Sequence, residues 1–416
     1  MFLEFTTLIK NRIDFLLCVL HNIFVMQSNN EKLPRIWLSG AHFVNDVYTG
    51  FLNPIMPFIA AKVGISMAIA TIILSMSHIF SSLMQPIFGF FADNITKRMF
   101  IFWGLILTSL FIPQAAASEN ILSMICFIIL GSLGSSLFHP QALGLANKFA
   151  GKDLAKNMGI FIGMGTLGYS VGPLLSAGVT QFLGLNKMPI LSVLGIVWAL
   201  IMFLCVPKMS DSLSEKKHHE IKKAFKTILS NRKLNILNVI SMLKSLISTS
   251  CFIFLPFLWK DMGYSAFFIG LALFIFIFVG GIGSLLSDKF EKLVGTKNVF
   301  YISMISTLPL MVLFVLTYET YPIVSFMLYF IMGFLTMLAV PVTMNMAQSI
   351  LPEFKSIIGG FINGFSWGIV ALIMSLNGFF AQNFGITNVL LIVSIIPAVF
   401  SLIFVKYLFR DLSQDI

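Results

Sequence analysis

Charge is scarce in this 416-residue sequence: Asp, Glu, Lys and Arg make up 11% of it, against 57% hydrophobic residues, where soluble chains carry about a quarter charged residues. So small a share excludes folding in water, and a mean hydropathy of +0.93 makes a bilayer the solvent. Cysteine is sparse too. Cys18, Cys126, Cys205 and Cys251 stand singly in apolar segments, which excludes a disulfide framework, a cysteine-based zinc set and a redox pair. Acids are few, 17 Asp and Glu against 27 Lys and Arg. The excess bases lie in short loops between apolar runs, so they report topology and exclude nucleic acid as a partner.

What fills the sequence instead is a series of apolar windows of spanning length. A helix needs about 20 residues to cross a core about 30 Å thick, and its backbone groups must be satisfied within the segment. Breaks at charges, Pro and Gly place spans near 36–60, 66–91, 99–117, 121–147, 156–183 and 188–206, then 234–259, 265–287, 297–317, 321–347, 355–382 and 387–409. The expected fold is an all-α membrane protein of twelve transmembrane helices in two pseudo-repeated six-helix bundles. Its expected divisions are a leader 1–33, a first bundle 34–206, a basic cytoplasmic linker 207–233, a second bundle 234–410 and a tail 411–416.

With the amino terminus inside, the outside loops hold only Lys62, Lys187 and Lys260, and the remaining loop bases lie inside. The positive-inside rule then puts both termini in the cytoplasm of a bacterial inner-membrane protein. The stretch Ile13 to Met26 is below spanning length, is interrupted by Asp14, His21 and Asn22, and ends in no small-residue cleavage site. Residues 1–25 read as an interfacial helix or an upstream misread of the start.

The halves echo each other. Gly89-x-x-x-Asp93 with Lys97-Arg98 follows the second span, and Ser284-x-x-x-Asp288-Lys289 follows the eighth. Pro140 precedes Ala146-Asn147 as Pro341 precedes Ala347-Gln348, and the same offset carries Gly159 and Gly163 onto Gly360 and Gly364. Duplicated halves are the plan of many secondary carriers, with the solute site at their interface near mid-membrane. The glycines at four-residue spacing, Gly159/Gly163, Gly168/Gly172 and Gly360/Gly364/Gly368, give smooth faces for close approach. Such faces serve static packing or a rocking motion. Asp93, Lys97, Arg98, Asp288 and Lys289, with Gly89, form a candidate cytoplasmic gate, although loop charges are more often simply solvated.

Ionisable groups inside the spans are few, and each costs roughly 2.5–3.5 kcal/mol near the bilayer centre, so each calls for a reason. Asp46 lies ten residues into the first span, about 15 Å deep, with His42 one turn away on the same face. A carboxyl there can exchange a proton as its surroundings alternate between wet and dry, or else hold two helices together. His139 precedes the helix-kinking Pro140 and suits a relay, a pairing with Asp46, or a bond to a nearby carbonyl. Lys244, near mid-depth in the seventh span, calls for a cavity or an acid. Asn45, Gln141, Asn345 and Gln348 add uncharged polarity, so the first, fourth, seventh and tenth spans all contribute to one candidate solute cavity. No cofactor and no metal set is expected, because His139 is isolated in sequence from His42 and Asp46.

Several stretches together resemble the major facilitator superfamily, and within it the fosmidomycin-resistance branch. They are Ala41-His42-Phe43-Val44-Asn45-Asp46, Gly134-Ser135-Ser136-Leu137-Phe138-His139-Pro140, Met346-Ala347-Gln348-x-x-Leu351-Pro352, Gln85-Pro86-x-x-Gly89 and Gly172-Pro173-Leu174-Leu175. The resemblance implies export of a drug or metabolite driven by inward proton flow, through a cavity lined by the first, fourth, seventh and tenth helices. The sequence departs from that branch at Gln141, where relatives usually have an acid, and at Asn94 and Thr96, which replace the usual Arg and Gly.

The expected function is therefore a monomeric, proton-coupled antiporter for efflux of a small solute, with no enzymatic role. Uptake of an organic acid on the same scaffold is the alternative, since fold does not set direction. An intramembrane enzyme would need a clustered nucleophile and base or metal ligands, and a transporter-like sensor would need more than a 27-residue linker.

Overall fold

The computed structural model describes residues 33–94, 99–205 and 226–413. The leader, Lys97, Arg98, most of the linker and the end of the tail lie outside the described residues. Twelve helical rods follow one another. In the first half α1 is Leu33–Thr49 continued by Leu52–Val63, α2 is Met67–Leu83 continued by Gln85–Asn94, α3 is Met99–Ala117, α4 is Ile121–Phe149, α5 is Leu154–Phe182 and α6 is Ser192–Cys205. In the second, α7 is Arg232–Asp261, α8 is Ala266–Val294, α9 is Thr296–Ile305 continued by Thr307–Thr317, α10 is Pro322–Ile350 and α12 is Ile386–Ser413. Between the last two, α11 runs from Lys355–Gly359 through a π turn, Gly360–Phe365, into Ser366–Phe384.

Eleven rods are long and apolar enough to cross a membrane. The remaining one, α1, is broken into pieces of 17 and 12 residues, and the cause is Pro54. It has no N–H to give, and its ring collides with the carbonyl four residues back, that of Gly50. The chain tightens there, and the Phe51 N–H turns to the Tyr48 carbonyl at 3.1 Å. Helix starts are set by short polar side chains. Ser66 accepts from the Ile69 N–H, Asn120 from Ser123, Asn231 from Leu234 and Ser265 from Phe268, each satisfying a donor that the helix leaves unpaired.

Glycine sets how closely the rods approach. A Cβ on Gly168 of α5 would stand 2.1 Å from the Phe43 carbonyl oxygen of α1, and one on Gly172 would stand 2.2 Å from that of Val47. In the second half Gly283 of α8 lies in the same way against Phe334 of α10. Between the halves, Gly270 of α8 meets Ala177 and the Pro173 carbonyl of α5, while Gly368 and Gly378 of α11 meet Leu83 and Thr71 of α2.

These seams close at one end only. Near the end where α1 finishes, Phe182 and Phe267 pack with tilted rings, centroids 5.6 Å apart, and Gln382 accepts the Ala68 N–H at 3.0 Å. Towards the end where α1 begins, Gly159 and Gly163 continue the α8-facing side of α5, Gly281 continues the α5-facing side of α8, and Gly360 and Gly364 precede Gly368. A Cβ on any of these five would have no atom of the described residues within 4 Å. The expectation of close approach therefore holds for Gly168, Gly172 and Gly368. It does not hold in this conformation for Gly159, Gly163, Gly360 and Gly364, because there the halves stand apart.

Gly168→Val should wedge α5 off α1 at a cost of about 3 kcal/mol and lower the melting temperature of the detergent-solubilised protein followed by tryptophan fluorescence. Gly163→Val, with open space around it, should melt like the parent.

Candidate functional site

Asp46 lies one turn before the break in α1, and both of its oxygens are engaged. His42, one turn earlier, brings Nε2 to 3.3 Å from Oδ2. His139 of α4 brings its Nε2 to 3.2 Å from Oδ1, and the two rings stand edge to face with centroids 5.4 Å apart. Fully buried Asn45 braces the group by donating from Nδ2 to Asp46 Oδ1 at 2.9 Å and to Ser135 Oγ of α4 at 3.3 Å.

Each imidazole is held from behind. His42 stacks on Phe161 of α5, centroids 4.3 Å apart, with Nδ1 2.8 Å from the Phe161 carbonyl oxygen. The ring fits because residue 165 is glycine, where a Cβ would lie 2.4 Å from the imidazole Cε1. His139 places Nδ1 2.8 Å from the Ser135 carbonyl oxygen, one turn back. A carbonyl oxygen only accepts, so each Nδ1 carries a hydrogen. If each Nε2 then held only a lone pair, it would face a lone pair of the carboxylate. Each Nε2–O contact is therefore favourable only where a proton lies between nitrogen and oxygen.

His42, Asp46 and His139 are also the three side chains whose donor atoms converge to within 4.8 Å, the spacing of a metal set among the described residues. The sequence argument against such a set rested on the isolation of His139, which the fold removes.

The other expected site residues are dispersed. Gln141 is buried, and its Oε1 accepts the Ile101 N–H at 3.0 Å, so that oxygen is committed to the start of α3. Asn345 is exposed on α10 and Gln348 is half-buried beside Gly359. Lys244 is buried in α7 and makes no contact with the triad. Of the gate residues, Gly89 packs against Pro140, a Cβ there standing 3.4 Å from the proline ring. The side chain of Asp93 lies outside the described part, as do Lys97 and Arg98. Asp288 pairs with Lys292 at 2.6 Å along α8, both exposed, a pair worth about 0–1 kcal/mol. Lys289 is exposed beside it.

The sequence reading gave no site role to Ser135, Phe161 and Gly165, which orient the triad. Gly165 carried a readable signal, since it stands one turn before Gly168 on the fifth span.

The sequence profile of the Major Facilitator Superfamily matches residues 38–375 and 237–415. The fosmidomycin resistance protein of Escherichia coli is 23% identical over 86% of this chain and 89% of its own length. A probable nitrate transporter of Staphylococcus epidermidis is 24% identical over 62% and 67% respectively. Among solved structures, a peptide transporter, POT, superposes with a TM-score of 0.73 at 16% identity, covering 90% of this chain and 94% of its own. A bacterial homologue of the lysosomal transporter Spinster, titled inward-facing and unoccupied, superposes with 0.71 at 14% identity over 92% and 98%.

Asp46 gathers His42, His139 and Asn45 on its two oxygens, so Asp46→Asn should lower the melting temperature of the detergent-solubilised protein by the equivalent of about 2 kcal/mol.

Proposed function

We propose that this chain, which belongs to the major facilitator superfamily, is a proton-coupled exporter that exchanges a drug or metabolite against protons across a bacterial inner membrane, both termini being cytoplasmic. The observation that carries the reading is the double engagement of Asp46 by His42 and His139. Protons bound there tie α1 to α4. Their release leaves imidazole lone pairs opposite a carboxylate, a repulsion that favours parting the two helices and so couples proton occupancy to conformation. One charge moved through a membrane potential is worth about 2.3 kcal/mol per 100 mV, enough to bias such a cycle.

The open glycine faces supply the motion. With the termini inside, the splayed end is cytoplasmic, and the alternate state brings Gly159 and Gly163 towards Gly281, and Gly360 and Gly364 towards α2. Export is favoured by the relative named for fosmidomycin resistance. Uptake of an organic acid or related anion is the second reading, favoured by the relative named as a probable nitrate transporter.

Inverted vesicles loaded with an acidic interior separate the two. Fosmidomycin or another tested solute should accumulate and discharge the pH gradient with the parent chain, and Asp46→Asn should lose at least about tenfold of both, a loss of at least about 1.4 kcal/mol. Flux that survives the substitution would make Asp46 structural, and accumulation only in right-side-out cells would make the protein an importer. Gly163→Leu paired with Gly364→Leu should keep the parent's melting temperature yet block turnover, because the added side chains prop the open faces apart.

A further inference from the structure

Lys244 is an interior basic residue with no counter-ion among the described residues. It lies twelve residues into α7, about 18 Å along the helix, and is 5% exposed. The other described bases lie near helix ends or in connections. It makes no hydrogen bond or ion pair with any residue. Nor is its ammonium among the sealed-in polar atoms that lack a partner, so its tip opens onto free space. α7 is heavily enclosed, with 83% of its spanning window buried against at most 50% for the other rods of the second half.

Among the described residues no acid is paired with it. Asp46 is the described acid within the spans, and His42, His139 and Asn45 engage both of its oxygens. Glu119 pairs with Lys62, Asp288 with Lys292, Glu291 with Thr296 and Glu319 with Tyr318, all at or near rod ends. Around Lys244, α7 is lined with hydroxyls. Ser241, Ser245 and Ser248 are each 2% exposed. Ser241 gives its hydrogen to the Ile362 carbonyl in the π turn of α11 and Ser248 to that of Ser245, whereas the Ser245 hydroxyl makes no bond and is not sealed in. An unpaired charge taken out of water is costly unless something neutralises it, and within a bilayer an ionisable group of this kind marks a solute path.

We propose that Lys244 binds the oxyanion of the transported solute, a carboxylate, phosphate or phosphonate, with the Ser245 hydroxyl as a second donor. The solute supplies the counter-charge that the chain withholds. The ammonium is then paired only when the cavity is loaded, which selects anionic or zwitterionic solutes over neutral and cationic ones. This rests on the transporter reading and not on proton coupling, because it concerns equilibrium binding at a single pH.

The test is a melting-temperature series on the detergent-solubilised full chain at fixed pH and ionic strength. The probes are inorganic phosphate, methylphosphonate, acetate and nitrate, set against glycerol and tetramethylammonium. At least one oxyanion should raise the melting temperature saturably, while glycerol and tetramethylammonium should not. Lys244→Met should weaken that binding at least about tenfold, the scale of a lost charge-assisted contact, and Lys244→Arg should retain it. If no oxyanion stabilises the parent, or the folded Lys244→Met protein binds it equally well, the proposal is overturned. If Lys244→Met does not fold, the parent series with Lys244→Arg still decides: stabilisation confined to tetramethylammonium or glycerol overturns it. A failure of Asp46-dependent flux in vesicles would leave this result untouched.

Discussion

One carboxylate between two imidazoles governs the first half of this molecule. Asp46 sits where water is expensive to bring in and where an unmatched charge is worse, so the helices around it are arranged to satisfy it. α4 supplies His139, α1 itself supplies Asn45, the residue before Asp46, and α5 comes close enough, through glycine, to orient His42 by its own carbonyl. The contact between α1 and α5 is therefore both packing and chemistry. A residue larger than glycine at position 165 would displace the ring that completes the triad, which ties the small-residue face of α5 to the polar group it shelters.

The two halves treat charge differently. The first balances its interior acid with its own imidazoles. The second encloses Lys244 in its most buried rod and leaves it unmatched. A carrier built this way has one interior charge satisfied by the chain and one kept for what passes through, and neither depends on the other's partner.

The architecture was largely legible before any coordinates. Twelve spans could be placed because apolar length and terminal charge follow directly from the hydrocarbon core, and Asp46, His42 and His139 stood out because charge is costly there. Three things were hidden. The bend in α1 follows from Pro54, but the chain absorbs it within two residues, and apolarity alone reads through it. Gln141 looked like cavity polarity, yet its oxygen serves the start of α3, a partner 40 residues away that no local spacing announces. The glycine stripes pointed correctly to helix faces but could not say which are closed, since Gly168 and Gly163 are the same residue type on one rod, and only the tilt of the halves separates them.

The uncovered faces of Gly159, Gly163, Gly281, Gly360 and Gly364 have a consequence for the surrounding lipid. They border the seams between α5 and α8 and between α2 and α11, so whatever medium fills these slots, lipid or water, must leave before the glycines can meet. A carrier that rocks on these faces, as proposed above, would do displacement work each time that end closes, and the make-up of the surrounding bilayer would then bear on the balance between its two states.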